Sequence, residues 1–379
     1  MIKLPEQFDD LRPYYQEEIP FAMKRISDDP LLPIVLKYLG KEEQLAIVKS
    51  KLANIQSTEQ LQKEVMYPLC KLIISKTISE FTYSGISNAI TDEGQLFISN
   101  HRDIVMDAYL QQMALLENGI PTSHITFGSN LMEPQFVVDV GLSNKMFKTV
   151  RKSNDFESFM SSSIHLSEYI NYVVAHGESL WIAQRNGRTK DGHDKTEPGL
   201  IRMLLLGGKK KETLTKLNIT PVAVSYQWEP CAILKAVELY KSRGGTPYQK
   251  AKGEDLNSII TGITSNKGGV HISICKPIKS DSFSQNIGRS DMNLLVKEID
   301  KEIFAGYKIW DTNYVAYDIL LNTSEHKDLY DNEIKEKFIS LMNYEIEKYP
   351  ELDGEALSQL YLNIYAGPVI TAKQNIINY

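Results

Sequence analysis

The sequence predicts an α/β fold: a mixed or mainly parallel sheet flanked by helices, with a helical domain before it and a helical region after it. Three observations lead there. Between Gly85 and Pro277 short apolar runs alternate with longer mixed segments, and strands alternating with helices build parallel or mixed sheets covered by helices. Upstream of Gly85 apolar residues recur at helical spacing, with no glycine after Gly40. Downstream of Pro277 the strand-like runs stop and helical periodicity returns. A chain of 379 residues has room for a core domain and an accessory one. The expected division is 1–84, helical; 85–280, α/β; and 281–379, helices packing on one of the other two.

Each element has its own signal. In the first region, Phe21-Ala22-Met23, the apolar positions of 32–39, and Leu45, Ile47, Val48 and Leu52 follow a helical period. Ser57 with Gln60 has the spacing of a helix-starting capping box. In the middle region 96–99, 125–128, 179–183, 219–226 and 270–275 read as buried strands. Residues 104–117 read as a helix closed by Asn118-Gly119. The last region holds helices over 292–304, 313–322, 333–348 and 354–365, with Pro350 and Gly354 punctuating the final pair.

Composition narrows the function classes. A hydrophobic fraction of 42% and a charged fraction of 24% are those of a soluble globular protein. A net charge of −6 excludes a nucleic-acid binder that relies on bulk electrostatics, so an anionic partner must be met by a local basic pocket. Cys70, Cys231 and Cys275 lack the paired spacings of a zinc or redox site, and are expected to be reduced and structural. No apolar signal core opens the chain, and no run of about 18 apolar residues would span a bilayer. The expectation is a soluble or peripheral protein of the cytoplasm.

The chemistry is expected where the run 96–99 turns into the helix of 104–117. His101 sits at that turn, and in open α/β sheets ligands gather at the carboxyl ends of strands; a histidine there is a candidate general base. Asp103, directly before the helix, suits an N-cap. Asp107, four residues on, can reach back to orient the imidazole and stabilise its protonated form. Backbone N–H groups in the turn after Asn100 are candidates for holding an oxyanion. The tripeptide His101-Arg102-Asp103 also occurs in protein kinase catalytic loops. There an asparagine follows the aspartate by five places; here Ala108 stands there, and neither Asp-Phe-Gly nor a glycine-rich phosphate loop is present. The kinase reading is excluded.

Asn100-His101-Arg102 followed by Met106-Asp107 resembles the first motif of the glycerolipid acyltransferases, the family of glycerol-3-phosphate and 1-acylglycerol-3-phosphate (lysophosphatidate) acyltransferases. That motif separates histidine and aspartate by four residues; here five lie between. Three further segments follow in the family's order. Phe127-Gly128-Ser129-Asn130-Leu131, then Gly141 and 146–152, is similar to the second motif, which ends in an arginine, here Arg151. Leu180-Trp181-Ile182-Ala183-Gln184-Arg185-Asn186-Gly187-Arg188 is similar to the third, with Gln184 or Ala183 where the family has glutamate. The run 219–226, containing Pro221 and leading to Glu229-Pro230, is similar to the fourth. The ordered set covers about 96–230, and the chain resembles a divergent member.

The resemblance implies an acyltransferase that moves a fatty acyl group from a thioester, acyl-CoA or acyl carrier protein, to a hydroxyl of glycerol-3-phosphate or lysophosphatidate. It implies no metal and no cofactor beyond that substrate. His101 would be the general base, paired with Asp107 or, alternatively, Asp103. Arg151 and Arg188, with Gly187 and Arg185, would hold the acceptor's phosphate, and Asn100, Arg102, Gly128, Gln184 and Pro221 would support the site. Such an enzyme would work free in the cytoplasm or peripheral to the inner face of the membrane, with acyl carrier protein as a further partner and no nucleic acid. Two alternatives stay open: an acyl thioesterase, and a catalytically silent lipid- or phosphate-binding protein on the same fold. Outside the motifs, Asp191-Gly192-His193-Asp194 lacks the ligand ladder of a calcium loop and reads as a polar loop. The basic connection 207–211 is solvated or touches anionic headgroups, and Lys308, Trp310 and Tyr314 read as packing.

Overall fold

The structure, a computed structural model, describes residues 2–149, 155–243, 248–251 and 253–377. Five helices lead into the sheet: α1 (Ile19–Asp28), α2 (Leu31–Tyr38), α3 (Leu45–Asn54), α4 (Thr58–Leu61) and α5 (Tyr67–Thr77). Ser57 Oγ accepts from the Gln60 amide at 3.1 Å and starts α4. The central region then runs β1 (Ile78–Ser84), β2 (Leu96–Ser99), α6 (Met106–Glu117), β3 (His124–Gly128), α7 (Gln135–Ser143), β4 (Met146–Thr149), α8 (Phe156–Ala175), β5 (Leu180–Ala183), α9 (Pro198–Leu204), α10 (Lys211–Leu217), β6 (Ile219–Tyr226), α11 (Ala232–Lys241), α12 (Glu254–Thr264) and β7 (Gly268–Ile274). Helices α13 (Arg289–Gly306), α14 (Asp311–Leu320), α15 (Asn332–Ile346) and α16 (Gly354–Ile377) complete it.

The seven strands lie in the order β1-β7-β6-β2-β5-β3-β4. Every neighbouring pair is parallel except β6 with β7, so five strands, β2 to β6, end on one edge. The sheet is mixed and mainly parallel, with helices on its faces. Strand alternation divides the core. Leu96, Ile98, Ile182 and Ile219 pack against Val173, Ile201, Leu295 and Ile299 of α8, α9 and α13. Phe97, Trp181, Val222 and Val224 pack against Ala108 and Leu110 of α6 and Ile73 of α5. Burial on both faces explains why the inner strands read as continuous apolar runs.

The two sheet edges differ from the expectation. Residues 78–84, the end of the region expected to be helical, form β1, and 146–149, read only as part of the second motif, form β4. Both are edge strands of mixed composition, β1 partly exposed and β4 alternating buried with half-buried positions, and α5 passes into β1 without a turn residue, so neither carries the apolar signature of an inner strand. In the last region α13 packs on the sheet, while α14, α15 and α16 enclose Phe338, Tyr361 and Tyr365 with Trp228. Helix α1 is tied to α7 by Arg25 to Asp139 at 2.7 Å. Among the described residues no helix is long and apolar enough to cross a membrane.

Candidate active site

Strand β2 lies between β6 and β5, and the turn leaving it carries His101. Asp103 Oδ1 accepts from the amides of Val105 and Met106 at 2.9 and 2.8 Å, which starts α6 at Met106. Residues 102–105 therefore form a non-helical turn, and the extra residue between His101 and Asp107 is taken up there rather than as a rotation of the helix. Asp107 is left in the first helical turn, facing back to the imidazole. His101 Nδ1 lies 3.0 Å from Asp107 Oδ2, whereas the Asp103 carboxylate is committed to the helix start.

Asp107 is fully buried and multiply bound. Its Oδ2 also accepts from the amides of Arg102 and Asp103 at 2.6 and 2.8 Å, and its Oδ1 accepts from Tyr226 Oη at 2.7 Å. Burial and then the Asp107 charge push the Tyr226 hydroxyl well above its ordinary value, so it stays a donor. A carboxylate with these donors is fixed in place, and fixes the ring. The same bonds correct one expectation: the Arg102 and Asp103 amides are spent on Asp107 and cannot also hold an oxyanion. With Nδ1 facing the carboxylate, Nε2 is the nitrogen left for proton transfer.

Beneath the turn runs a buried polar network. Asn100 Nδ2 donates to the Val224 carbonyl and to Asp194, and its Oδ1 accepts from the Val224 amide. The Arg102 guanidinium donates to Asp194 Oδ2 at 2.8 Å and to Glu229 Oε2 at 3.3 Å. Lys235 Nζ bonds Glu229 Oε1 at 2.5 Å and the Arg102 carbonyl at 2.7 Å. Burial opposes ionisation of Asp194, but the Arg102 charge and bonds from Arg102, Thr189 and Asn100 hold its carboxyl below its ordinary value. Asn100 and Arg102 thus shape the turn from behind, and neither lines the cleft in front of His101.

That cleft, about 60 Å³, is lined by Thr126 and Gly128 of β3, Trp181 and Ala183 of β5, Gly187 and Arg188 of the following loop, and Lys250 with Asp255. Gly187 has a φ of +77°, a left-handed turn that suits glycine. Arg188 is 5% exposed; its Nη2 donates to Ser258 Oγ at 3.2 Å, and its Nη1 is buried without a hydrogen-bond partner. Gln184 Nε2 and Arg185 Nε are likewise buried and unbonded. Buried donors without a partner are rare, and three fall within five residues of this loop. Arg185 lines a second, larger cavity of about 1050 Å³, which adjoins the His101 cleft at Thr126 and Ala183. Its walls include Leu166, Ile182, Leu200 and Met203.

His101, Asp107, Gly128, Gly187 and Arg188 thus converge, and Arg185 and Gln184 stand beside them. Pro221 is held in β6 opposite Ile98. Arg151 lies outside the described residues. Sequence reasoning missed Tyr226, Asp194 and Lys235. Tyr226 ends the run 219–226, but nothing local says that this strand neighbours the His101 strand. Asp194 sits in a loop read as merely polar. Among the described residues no group of three or more His, Cys, Asp or Glu side chains could hold a metal ion.

No protein-family model matches this sequence, and no curated protein is significantly similar to it. Among solved structures, the 1-acyl-sn-glycerophosphate (LPA) acyltransferase PlsC of Thermotoga maritima matches 76% of this chain and 94% of its own, at a TM-score of 0.38 and 13% identity.

Proposed function

We propose that the protein is an acyltransferase that moves a fatty acyl group from a thioester, acyl-CoA or acyl carrier protein, to a hydroxyl of a phosphate-bearing glycerol, glycerol-3-phosphate or lysophosphatidate. One observation carries the reading: His101, bonded to the buried Asp107, lines the same cleft as Arg188, whose Nη1 lacks a partner. His101 Nε2 takes the proton of the acceptor hydroxyl as its oxygen attacks the thioester carbonyl. The tetrahedral intermediate expels the thiolate, and the imidazolium returns the proton to sulfur. Asp107 holds the tautomer and stabilises the imidazolium; a positioned base contributes about 10²- to 10⁴-fold.

Arg188 offers the acceptor phosphate a planar guanidinium already fixed by burial, so little entropy is lost on binding. The adjoining cavity has the apolar walls an acyl chain needs, and its contact at Thr126 and Ala183 would bring the thioester to His101. The enzyme would work in the cytoplasm or at the inner membrane face.

The test is an assay of purified protein with acyl-CoA or acyl carrier protein and glycerol-3-phosphate, lysophosphatidate or water. An acylated glycerol phosphate is the expected product. Free fatty acid formed equally well without acceptor would replace this reading by thioester hydrolysis, and no turnover with either donor would leave a binding protein. Arg188→Ala is expected to raise the acceptor KM about tenfold or more with the donor KM little changed; equal effects on both would remove the phosphate assignment.

A further inference from the structure

At the larger cavity and on the helix α8 beside it stands a combination of side chains that the proposed chemistry does not use. Phe156 and Phe159 are 76% and 43% exposed. With Met160 and the exposed Ile164 they fall on one side of α8, at helical spacing. Isolated exposed apolar residues mean little, but two neighbouring phenylalanines on one helix face form a patch. Phe159 and Met160 line the same cavity as Arg202, Lys209 and Arg289. Among the described residues that lining holds four cations, including Arg185, against one carboxylate, Glu197.

The basic side of the cavity is held firmly. The Ile287 amide donates to the Lys209 carbonyl at 2.9 Å, and the Lys211 amide to the Gln285 carbonyl at 3.0 Å. An antiparallel bridge joins Lys210 to Asn286 between them. This short ribbon sets the connection after α9 beside the start of α13 and brings Lys209 next to Arg289. On the other side, the Gly207 amide donates to Ser167 Oγ of α8 at 3.2 Å, which ties the basic connection to the helix that carries the phenylalanines.

We infer that this face, Phe156 and Phe159 of α8 together with Arg202, Lys209 and Arg289, docks on an anionic lipid bilayer and opens the large cavity towards it. Aromatic rings beside a cluster of arginine and lysine suit the headgroup boundary, where the rings enter the acyl layer and the cations meet lipid phosphates. The net charge of −6 disfavours a bilayer of like sign for the molecule as a whole, so a local basic face must do the docking. The apolar walls of the cavity continue the path of a lipid chain out of the bilayer. The inference rests on the proposed reaction in one respect: a lipid acceptor or product has to be exchanged with a membrane.

Sedimentation with vesicles tests it. Wild-type protein is expected to bind vesicles of phosphatidylcholine mixed with phosphatidylglycerol, to bind phosphatidylcholine alone much more weakly, and to dissociate as salt rises. Phe156→Ser/Phe159→Ser and Lys209→Ala/Arg289→Ala are each expected to weaken that binding about tenfold or more, with wild-type melting temperatures confirming the fold. No binding by wild type would overturn the inference, as would variants that bind like wild type. It would also fall if binding is lost only on Ile34→Ser/Tyr38→Ser, which removes exposed apolar residues of α2, or if the same cations capture an acidic acyl carrier protein while vesicles are ignored. Vesicle binding without acyl transfer would leave this face standing and remove the reaction; acyl transfer without vesicle binding would do the reverse.

Discussion

Asp107 accepts from four donors: His101 Nδ1, the amides of Arg102 and Asp103, and Tyr226 Oη. Replacing it with asparagine puts an NH₂ group against donors and removes the charge that stabilises an imidazolium. Asp107→Asn is therefore expected to lower kcat about 10²- to 10⁴-fold, and steady-state kinetics at saturating donor and acceptor will show it. Tyr226→Phe removes one bond to a charged acceptor. That costs about 1.5–3 kcal/mol of stability, measurable by denaturant unfolding, and loosens the carboxylate that orients the base. His101 and Asp107 were legible in the sequence because their pairing is local, a turn and the first residues of a helix. Tyr226 was not, because its hydroxyl meets Asp107 only when β6 lies beside β2, across 119 positions of chain.

At the scale of elements, the loop after β5 is held against α16 by two glycines. Gly192 has a φ of +81°, and a Cβ on Gly367 would fall 2.5 Å from the Gly192 carbonyl carbon. In an exposed helix, glycine to alanine stabilises by about 1 kcal/mol. Here Gly367→Ala is expected to lower the melting temperature and reduce turnover, because the displaced loop carries Arg188 and Asp194; an unchanged or raised melting temperature would show that α16 does not brace the loop. The buried strands β2 and β6 were read correctly from continuous apolar runs, and the strand ends placed His101 and the Gly187-Arg188 turn on one edge. The edge strands β1 and β4 were missed because a short strand of mixed composition looks like a helix end or a loop until its neighbour is known.

Across the whole molecule, the ion network of Arg102, Asp194, Glu229 and Lys235 joins the turn after β2, the loop after β5, the exit of β6 and helix α11. No sequence spacing signals it, since its members are scattered over the chain and meet only in the fold. Asp194→Asn leaves Arg102 partly uncompensated, and breaking a buried pair costs about 3–5 kcal/mol. The pH dependence has a definite sign. The folded Asp194 carboxyl is held below its ordinary value, so its stabilisation is complete above the unfolded carboxylate pKa of about 3.9 and is lost as pH falls through the lower folded value. The stability gap between wild type and Asp194→Asn should therefore be flat near neutrality and shrink below about pH 4; a gap that grows on acidification would contradict the assignment. The purpose given to this scaffold is to present one base in one cleft. The measurement that tests this most directly is the acyl-transfer rate of His101→Ala against wild type, on protein of matched melting temperature. A loss of about 10²- to 10⁴-fold or more is expected; transfer by the variant at the wild-type rate would mean that His101 is not the base.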